Sequence, residues 1–427
     1  MPDDKQTSAK GPSLEEGYQQ AISLLSRCCS PDGFLASFQK RYNYHRIWGR
    51  DGAINSLAAL LTGHQDLIDC GRRTLLTLAK HQGPHGEIPS NVDPLSGRIS
   101  YGGTVGRVDS NLWFLIGCGE YWQRSADEDF LDRIREPLER VVFLLGAWEF
   151  NNRGLIYVPA TGDWADEYVH NGYILYDQLL YFRALRAVAD VRRHIDAGRD
   201  HFLEEKICRL GQLIKVNYWL APDGELPPNA YHEVIYKKLQ AAACHCEDRH
   251  WLPFFTPLGY GYRFDSFANV LASLFGLASG RQQQIVDDYI DTIVPAETID
   301  LLPAFHPVIS PKDEDWQDLN MTFSYTFKNK PYEFQNGGLW PLITGLYVAD
   351  LARRGEQERA ERFLHGVCQA NSTSNGEGDW LFPEFIHGKT FKAGGTVYQA
   401  WNAASFIIGY HALQGDHLFG KEVRRKE

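Results

Sequence analysis

The chain has 427 residues, 44% of them hydrophobic, and a formal net charge of −11. This hydrophobic content supplies a sizeable core and argues against disorder. An acidic chain repels phosphate backbones and anionic lipid, which argues against nucleic acid and membrane surfaces as partners. No stretch approaches the roughly 18 apolar residues of a membrane-spanning helix. Polar residues rather than an apolar signal segment follow Met1, so we expect a cytoplasmic protein.

Helical periodicity covers almost the whole chain. Apolar residues recur at i, i+3, i+4 and i+7 in twelve segments, which predict helices near 14–29, 51–64, 66–82, 109–125, 128–151, 173–195, 200–219, 264–280, 281–295, 335–354, 356–371 and 396–413. Strand-like alternation is short, as around 154–159. Long loops rich in Gly, Pro and aromatic residues separate the helix pairs, near 83–107, 152–172, 221–262, 296–334 and 372–395.

This arrangement of helices predicts an all-α fold. Alternating short and long connections favour an (α/α)6 barrel of six helical hairpins, with the long loops forming a pocket at one end. An α-solenoid would need a repeating sequence period, and we find none. We predict one domain over 14–415, between a polar, disordered tail at 1–13 and a basic tail at 416–427.

The eight cysteines do not indicate a metal site or a disulfide framework. Most of them lie in apolar helical patterns, where buried thiols are unreactive. Cys244-His245-Cys246 is the one cluster, and it lacks further paired ligands at zinc spacing. We therefore predict that the chain holds no metal.

Two polar clusters precede the second and fourth predicted helices. The first contains Tyr44, Trp48, Arg50 and Asp51, a set that grips a sugar by ring stacking and bidentate hydrogen bonds to hydroxyls. The second places Asp109 one helical turn before Trp113. For each aspartate the alternative is a simple helix N-cap.

The third cluster is the acidic loop 160–168. Asp163, Trp164 and Asp166 lie there beside Glu167 and Tyr168. A carboxylic acid that stays protonated near neutral pH needs burial beside aromatic rings or a like charge, and this loop offers both.

Two further clusters lie before later helices. Arg263 and Asp265 follow a Gly- and Tyr-rich loop, where they either bind a ligand or form a turn with an N-cap. Asn336, Gly337 and Trp340 lie in the second of these clusters. The paired glycines 337 and 338 would destabilise a helix start, and close approach of the backbone to a ligand would explain them.

The sixth cluster surrounds Glu384, which stands alone in an apolar and aromatic stretch. A lone buried carboxylate is costly unless it has a function. Gln399 and Trp401 follow at the last helix. His387 either tunes Glu384 or is a surface histidine.

These clusters together indicate hydrolysis of a glycosidic bond. That reaction needs one protonated carboxyl group for the leaving oxygen and one ionised carboxylate to activate water or attack the sugar. The 163–167 loop and Glu384 supply such a pair. No Walker, GxGxxG, HExxH or GxSxG element occurs in a suitable context, so we expect no metal, nucleotide or other cofactor.

From about 42 to 413 the chain resembles the neutral/alkaline invertases, glycoside hydrolases that cut sucrose. The likeness is carried by Asn43-Tyr44 with Arg50-Asp51, by GRVDSNLW at 106–113, RFDSFAN at 263–269, NGGLWP at 336–341 and FPEF at 382–385 with YQAW at 398–401. The final pair, FPEF with YQAW, is the most specific.

The resemblance implies a six-hairpin barrel, no cofactor and inversion at the anomeric carbon. It implies that Glu384 is the general base and that an aspartate of the acidic loop is the general acid. Asp166 fits that position with a one-residue gap, and Asp163 is its competitor. The family's acid motif has basic neighbours, whereas this loop reads GDWADE. Trp48-Gly49-Arg50-Asp51 and the 80–89 stretch resemble instead the amylo-α-1,6-glucosidase domain of glycogen debranching enzymes.

Several functions therefore stay open at this point. The substrate is a small oligosaccharide or glycoside: sucrose, or another α-glucoside such as an isomaltosyl branch or a glucosyl- or mannosyl-glycerate. A barrel phosphorylase would need a phosphate site, and a sugar isomerase would need paired histidines. Neither pattern stands out in the sequence. A non-catalytic sugar-binding protein is the alternative of another class, and a homo-oligomer stays open.

Overall fold

A computed structural model describes residues 11–40, 43–196, 200–219, 225–243, 250–294, 299–376 and 378–419. The Cys244-His245-Cys246 cluster lies outside these residues, as do most of the N-terminal tail and the basic end of the C-terminal tail. The helices of the described part are α1 Leu14–Cys28, α2 Gly49–Thr62, α3 Gln65–Lys80, α4 Val108–Ser125, α5 Glu128–Ala147, α6 Leu175–Asp196, α7 His201–Tyr218, α8 Glu233–Ala243, α9 Ser266–Leu274, α10 Gly280–Ile293, α11 Trp316–Leu319, α12 Pro341–Arg354, α13 Gln357–Asn371 and α14 Ala400–Leu413.

The strands of the described part are two or three residues long. They are β1 Cys29–Ser30, β2 Gly33–Phe34, β3 Ile47–Trp48, β4 Asn91–Val92, β5 Ile99–Ser100, β6 Tyr173–Ile174, β7 Phe254–Thr256, β8 Gly259–Tyr260, β9 Phe264–Asp265, β10 Phe305–His306, β11 Phe385–Ile386 and β12 Ala393–Gly394. All pair in antiparallel fashion, in the orders β1-β2, β3-β4-β5, β6-β7-β8, β9-β10 and β11-β12. In the predicted strand-like segment near 154–159 the structure has one isolated bridge, Val158 to Gly172.

The predicted all-α barrel is confirmed. Each of the twelve predicted segments corresponds to a helix, and α8 and α11 are additions within two of the long loops. Six helices form a closed ring: α2 contacts α4, α4 contacts α6, α6 contacts α9, α9 contacts α12, α12 contacts α14, and α14 returns to α2. Helices such as α1, α3, α5, α7 and α13 pack outside this ring.

Inner and outer helices differ in how their apolar residues are distributed around the helix. The inner helix α14 is buried at eleven of its fourteen positions and is apolar on nearly every face. The outer helix α5 buries a single stripe that includes Phe130, Ile134, Leu138 and Leu145. A helix inside a ring has neighbours all round, whereas an outer helix needs only one apolar face.

The first turns of the inner helices meet at one end of the ring. Arg50 on α2 pairs with Asp109 on α4 at 2.9 Å, and Trp113 Nε1 on α4 donates to the hydroxyl of Tyr176 on α6 at 2.8 Å. Trp340 contacts the Trp401 ring of α14 at 5.7 Å between ring centroids. The positive ends of several helix dipoles therefore point at this end, where they favour carboxylates.

The starts of α2, α4 and α9 show which of three aspartates are helix N-caps. Asp51 and Asp109 are not N-caps, because the N-cap positions belong to Trp48 and Arg107. Asp265 is an N-cap, and its side chain accepts a hydrogen bond from Ala268 N at 3.0 Å. The aspartates of α2 and α4 lie within the first turn, free for other contacts.

The paired glycines 337 and 338 are required by packing, whatever their part in ligand binding. They precede α12, which begins at Pro341, and therefore do not lie inside a helix. Gly337 has φ +88°, and a Cβ there would collide with Val308. A Cβ on Gly338 would lie 2.9 Å from Phe334 N. The backbone packs too closely for any side chain at these positions.

The core is one large cluster with a small satellite around Tyr236 and Leu239. It extends beyond the predicted domain end, since Leu418 is buried. Cys28, Cys70, Cys118 and Cys368 are buried as predicted, Cys29 is half-buried and Cys208 is exposed. In the part of the chain that the structure describes, no helix is both long and apolar enough to cross a membrane.

Candidate active site

Glu384 lies buried at the end of the ring where the inner helices begin. Its Oε1 accepts a hydrogen bond from the Tyr44 hydroxyl at 2.7 Å, and its Oε2 accepts one from the backbone N–H of Thr396 at 3.0 Å. Burial raises the pKa of Glu384, these two hydrogen bonds lower it, and the charge of Asp166 adds to the increase. The carboxylate is thus fixed in position, and its ordinary acidity is weakened.

Gly395 packs directly against the Glu384 side chain. It has φ +74°, and a Cβ at this position would lie 2.6 Å from Glu384 Cβ and still closer to Oε2. The glycine is therefore required for two independent reasons, backbone conformation and space. The β11–β12 pairing holds Phe385 opposite Gly394 and so keeps Gly395 beside the carboxylate.

The two candidate acids of the 160–168 loop occupy different environments. Asp163 is fully buried, and its Oδ2 lies 3.3 Å from Nδ1 of His170. Asp166 keeps 33% of its side chain exposed; Oδ2 forms an ion pair with Arg107, and Oδ1 lies 3.5 Å from Gln335 Nε2. The charge of Asp166 contributes to the raised pKa of both Glu384 and Tyr44. Of the two aspartates, Asp166 is the one that is partly exposed.

Arg50, Asp51 and Trp401 form a polar wall beside the catalytic carboxylate candidates. Arg50 pairs with Asp109 at 2.9 Å and with Asp51 at 3.5 Å, and its guanidinium lies 5.2 Å from the Trp401 ring centroid. Burial raises the pKa of Asp51 and of Asp109, and the charge of Arg50 opposes this effect in both.

Several polar atoms of this wall have no hydrogen-bond partner among the described residues. They are Trp401 Nε1 and, on the neighbouring Gln399, both side-chain amide atoms, whereas Arg50 Nε and Asp51 Oδ2 lie 3.5 Å apart as an ion pair. Buried polar groups are normally paired, and unpaired ones cost free energy. Donors and acceptors side by side on one wall match the alternating demands of sugar hydroxyls, each of which both donates and accepts.

A group of buried carboxylates lies behind this wall. Asp109, Asp163, Asp177 and Asp265 are each fully buried. Burial is the main cause of the raised pKa of Asp177, and the charges of the other three add to it. Burial also raises the pKa of Asp265 to about 6, although the His170 imidazole opposes the increase. So many carboxylates are tolerated because the positive ends of the inner helices converge here.

Other predicted site residues belong to the scaffold. Trp113 and Trp340 are almost completely buried, and Trp164 packs edge-on against Trp340 at 5.5 Å between centroids. Asn336 bonds to the backbone N–H and C=O of Ile309, at 2.7 and 2.8 Å. These residues position the loops and have no free polar atom for a ligand except the Trp164 indole N–H, which has no partner among the described residues.

The remaining predicted residues lie at the edge of the site. Arg263 forms an ion pair with Asp315 and so ties two long loops together. Trp48 donates from its indole to the carbonyl of Asn43 at 3.0 Å, which fixes the loop that carries Tyr44. His387 accepts hydrogen bonds from Lys389 N and Thr390 N, which is the surface-turn role rather than a contact with Glu384.

Sequence reasoning missed several residues that the structure adds. Arg107 pairs with Asp166, and Lys328 pairs with Glu167 at 3.1 Å beside it. Thr396 holds Glu384 through its backbone, which no side-chain pattern reveals. Asp177 had one available signal: it is a charged residue within the otherwise apolar start of α6.

Comparisons with known proteins find similarity to the alkaline and neutral invertases. A family model described as alkaline and neutral invertase matches residues 249–415. The probable alkaline/neutral invertase D of Arabidopsis thaliana is 22% identical over 91% of this chain and 80% of that protein. Cytosolic invertase 1 of Oryza sativa subsp. japonica is 22% identical over 91% of this chain and 76% of its own length. The resemblance to the invertases is thereby confirmed.

Solved structures relate the fold to those of other glycosidases. The GH63 mannosylglycerate hydrolase from Thermus thermophilus, in complex with glucose, superimposes with a TM-score of 0.65 at 13% identity, over 93% of this chain and 100% of that chain. A bacterial glucoamylase complexed with acarbose gives a TM-score of 0.64 at 14% identity, over 95% of this chain and 56% of that chain.

Proposed function

We propose that this glycoside hydrolase is an invertase-like enzyme that hydrolyses sucrose with inversion, using Asp166 as general acid and Glu384 as general base. The observation that carries the assignment is the environment of Glu384: its carboxylate is buried and accepts a hydrogen bond from the Tyr44 hydroxyl at 2.7 Å. The charge of Asp166, from a loop far away in the chain, contributes to the raised pKa of both Tyr44 and Glu384, which supports a role for the two carboxyl groups in one site. The similarity to the invertases supports sucrose as substrate.

In this mechanism Glu384 acts as an ionised carboxylate. It removes a proton from a water molecule, which attacks the anomeric carbon on the face opposite to the leaving group. The Tyr44 and Thr396 hydrogen bonds keep the carboxylate oriented and favour its charged form. The raised pKa of Glu384 makes it a stronger base than an exposed glutamate.

Asp166 supplies a proton to the glycosidic oxygen. In the free protein its Oδ2 is paired with Arg107, which leaves Oδ1 as the oxygen directed away from that pair. We expect the carboxyl groups of Asp166 and Glu384 to lie roughly 6.5–9.5 Å apart, the separation that leaves room for the attacking water.

The polar wall binds the sugar whose bond is cut. The Gln399 amide and the Trp401 indole N–H have no hydrogen-bond partner among the described residues and bind hydroxyl groups, together with the Asp51 carboxylate. Arg50 orients Asp51, and Tyr44 and Trp48 contribute an aromatic side, with their ring centroids 6.4 Å apart. Because this binding uses protein groups only, the proposed reaction needs no cofactor.

A second candidate is hydrolysis of another small glycoside, such as an isomaltosyl, glucosylglycerate or mannosylglycerate bond. It is favoured by the likeness to the mannosylglycerate hydrolase, which extends over almost the full length of both chains. The same acid and base would serve, and only the contacts with the leaving group would differ. We also propose a cytoplasmic location, in line with the name of the rice cytosolic relative.

Reducing-sugar release from a panel of glycosides tests the proposal. Sucrose, isomaltose, maltose, glycogen limit dextrin, glucosylglycerate and mannosylglycerate are incubated at pH 6 to 8 without added metal. Glucose and fructose from sucrose, abolished by Glu384→Gln and retained by the exposed control Glu358→Gln, would establish it. Cleavage of another member but not sucrose would favour the second candidate. No release from any member would contradict both.

A further inference from the structure

The β1–β2 hairpin lies against one face of the outer helix α3. Its second strand is held by Thr74, whose hydroxyl accepts a hydrogen bond from Phe34 N at 2.8 Å. Its turn is held by Thr77, whose hydroxyl donates to the Asp32 carbonyl at 2.7 Å. Helical residues three, four and seven positions apart share a face, so the same face of α3 includes position 70, one turn before Thr74.

Two free cysteines meet on this face. Cys29 is paired with Phe34 across the hairpin, which places it beside the turn of α3 that contains Cys70. The Cys70 thiol donates a hydrogen bond to the Cys29 sulfur, and the backbone of Ser30 also hydrogen-bonds to Cys70. Both thiols are free; Cys70 is buried, whereas Cys29 is half-buried and open to a small oxidant.

The surroundings of the two thiols make them chemically unequal. The hydrogen bond from Cys70 is the main cause of the lowered pKa of Cys29; the charge of Arg73 lowers it too, and burial and Asp66 oppose both effects. Arg73 Nη2 donates to the Ser30 carbonyl at 3.4 Å, and its Nε has no hydrogen-bond partner among the described residues. The same thiol–thiol hydrogen bond, together with burial, raises the pKa of Cys70. A thiolate next to a protonated thiol is the arrangement in which one sulfur is oxidised and the other resolves it.

We propose that Cys29 and Cys70 form a reversible disulfide when the protein meets hydrogen peroxide, and that this bond ties the β1–β2 hairpin to α3. The Cys29 thiolate attacks one peroxide oxygen, the O–O bond breaks and hydroxide leaves, which gives a sulfenic acid on Cys29. The Cys70 sulfur then attacks the Cys29 sulfur, the S–O bond breaks, and the hydroxyl group leaves as water with the proton of Cys70. Two electrons pass from the thiols to the peroxide, and a dithiol returns them.

The hairpin leads directly into the segment that contains Tyr44. Ala36 N donates to the Arg46 carbonyl and Ser37 N donates to the Tyr44 carbonyl, both at 2.9 Å. A disulfide from Cys29 to position 70 closes a loop that includes this whole segment, and loop closure restrains the chain. Because these thiols take no part in the proposed hydrolysis, failure of that function would leave the disulfide unaffected.

Peptide mapping of the whole chain tests the disulfide. The protein is treated with hydrogen peroxide, the remaining thiols are blocked, and the peptides are analysed by mass spectrometry without reduction. The wild type should give peptides joined through Cys29 and Cys70, which dithiothreitol separates. Cys29→Ser and Cys70→Ala should abolish the joined peptides, whereas Cys208→Ser, at an exposed cysteine of α7, should retain them. A wild-type map in which Cys208 is oxidised but Cys29 and Cys70 are not joined would overturn the proposal, whether or not the variants fold.

Alkylation of the reduced protein by iodoacetamide tests which thiol attacks. Cys29 should react faster than the more exposed Cys208, because the thiolate is the reactive form. Arg73→Met should slow the reaction of Cys29 about three- to tenfold, whereas Arg73→Lys keeps the charge and should retain most of the rate. The rate at Cys208 should be the same in all three proteins. Faster reaction of Cys208 in the wild type, or equal Cys29 rates in the two Arg73 variants, would overturn the attack by Cys29.

Discussion

Removal of the Tyr44 hydroxyl should shift the pH dependence of the enzyme. Glu384 must be ionised to activate water, so activity is present above its pKa and is lost as the pH falls through it. The Tyr44 hydrogen bond stabilises the ionised form and lowers that pKa. Tyr44→Phe therefore raises the pKa of Glu384 further, and the acid limb of the pH–rate profile moves to higher pH.

The size of this shift follows from the geometry of the bond. The donor–acceptor distance is 2.7 Å, and the acceptor carboxylate is buried. A hydrogen bond to a charged group contributes about 1.5–3 kcal/mol. At about 1.4 kcal/mol per pKa unit, the acid limb should move up by about one to two pH units.

The assay is kcat/KM for the cleaved substrate, measured between pH 4 and 9. Tyr410→Phe is a matched control, because the Tyr410 hydroxyl donates to the exposed Glu15 carboxylate at 2.6 Å, on the outside of the barrel. The control should retain the wild-type profile. An acid limb that stays in place in Tyr44→Phe, or moves to lower pH, would refute the role of Glu384 as the base held by Tyr44.

Three further substitutions test the site. Asp166→Asn should lower turnover of sucrose by roughly 10²–10⁴-fold but much less for an aryl glycoside whose leaving group needs no proton, measured as the ratio of the two rates. Asp163→Asn should lower both rates by the same factor, since its carboxylate is fully buried; a selective effect would make Asp163 the acid instead. Gly395→Ala should lower kcat at least tenfold, because the new Cβ displaces the Glu384 side chain. The control Gly63→Ala has a similar φ of +68° but open space around it, so it should lower the free energy of unfolding by only about 1 kcal/mol and leave kcat unchanged. Equal kcat values for the two alanine variants would show that Gly395 is not needed to position Glu384.

The sequence predicted the helices and the candidate residues that meet at one end of the barrel. Helical periodicity is a local property, so the twelve segments could be recognised without tertiary information. The polar clusters at the starts of the inner helices are also local features of the sequence, so they could be recognised as candidate site residues without tertiary information. Glu384 stood out because an isolated carboxylate in an apolar stretch is costly.

The orientation of side chains could not be predicted in this way. Asp163 and Asp166 lie in one loop, yet Asp163 is fully buried beside His170, whereas Asp166 keeps 33% of its side chain exposed. The contact of Thr396 with Glu384 uses the backbone and so carries no residue-type signal. Long-range contacts of this kind depend on loops that meet only when the ring closes.

The stereochemistry of hydrolysis tests the central claim most directly. Proton NMR of the first minutes of sucrose cleavage, before mutarotation, distinguishes the two anomers of the glucose that is released. If Asp166 and Glu384 act as acid and base on opposite sides of the bond, β-glucose appears first and is not formed by Glu384→Gln. Initial release of α-glucose would mean retention at the glucosyl carbon, or cleavage of the bond between the bridging oxygen and the fructosyl carbon, and either result would contradict the account.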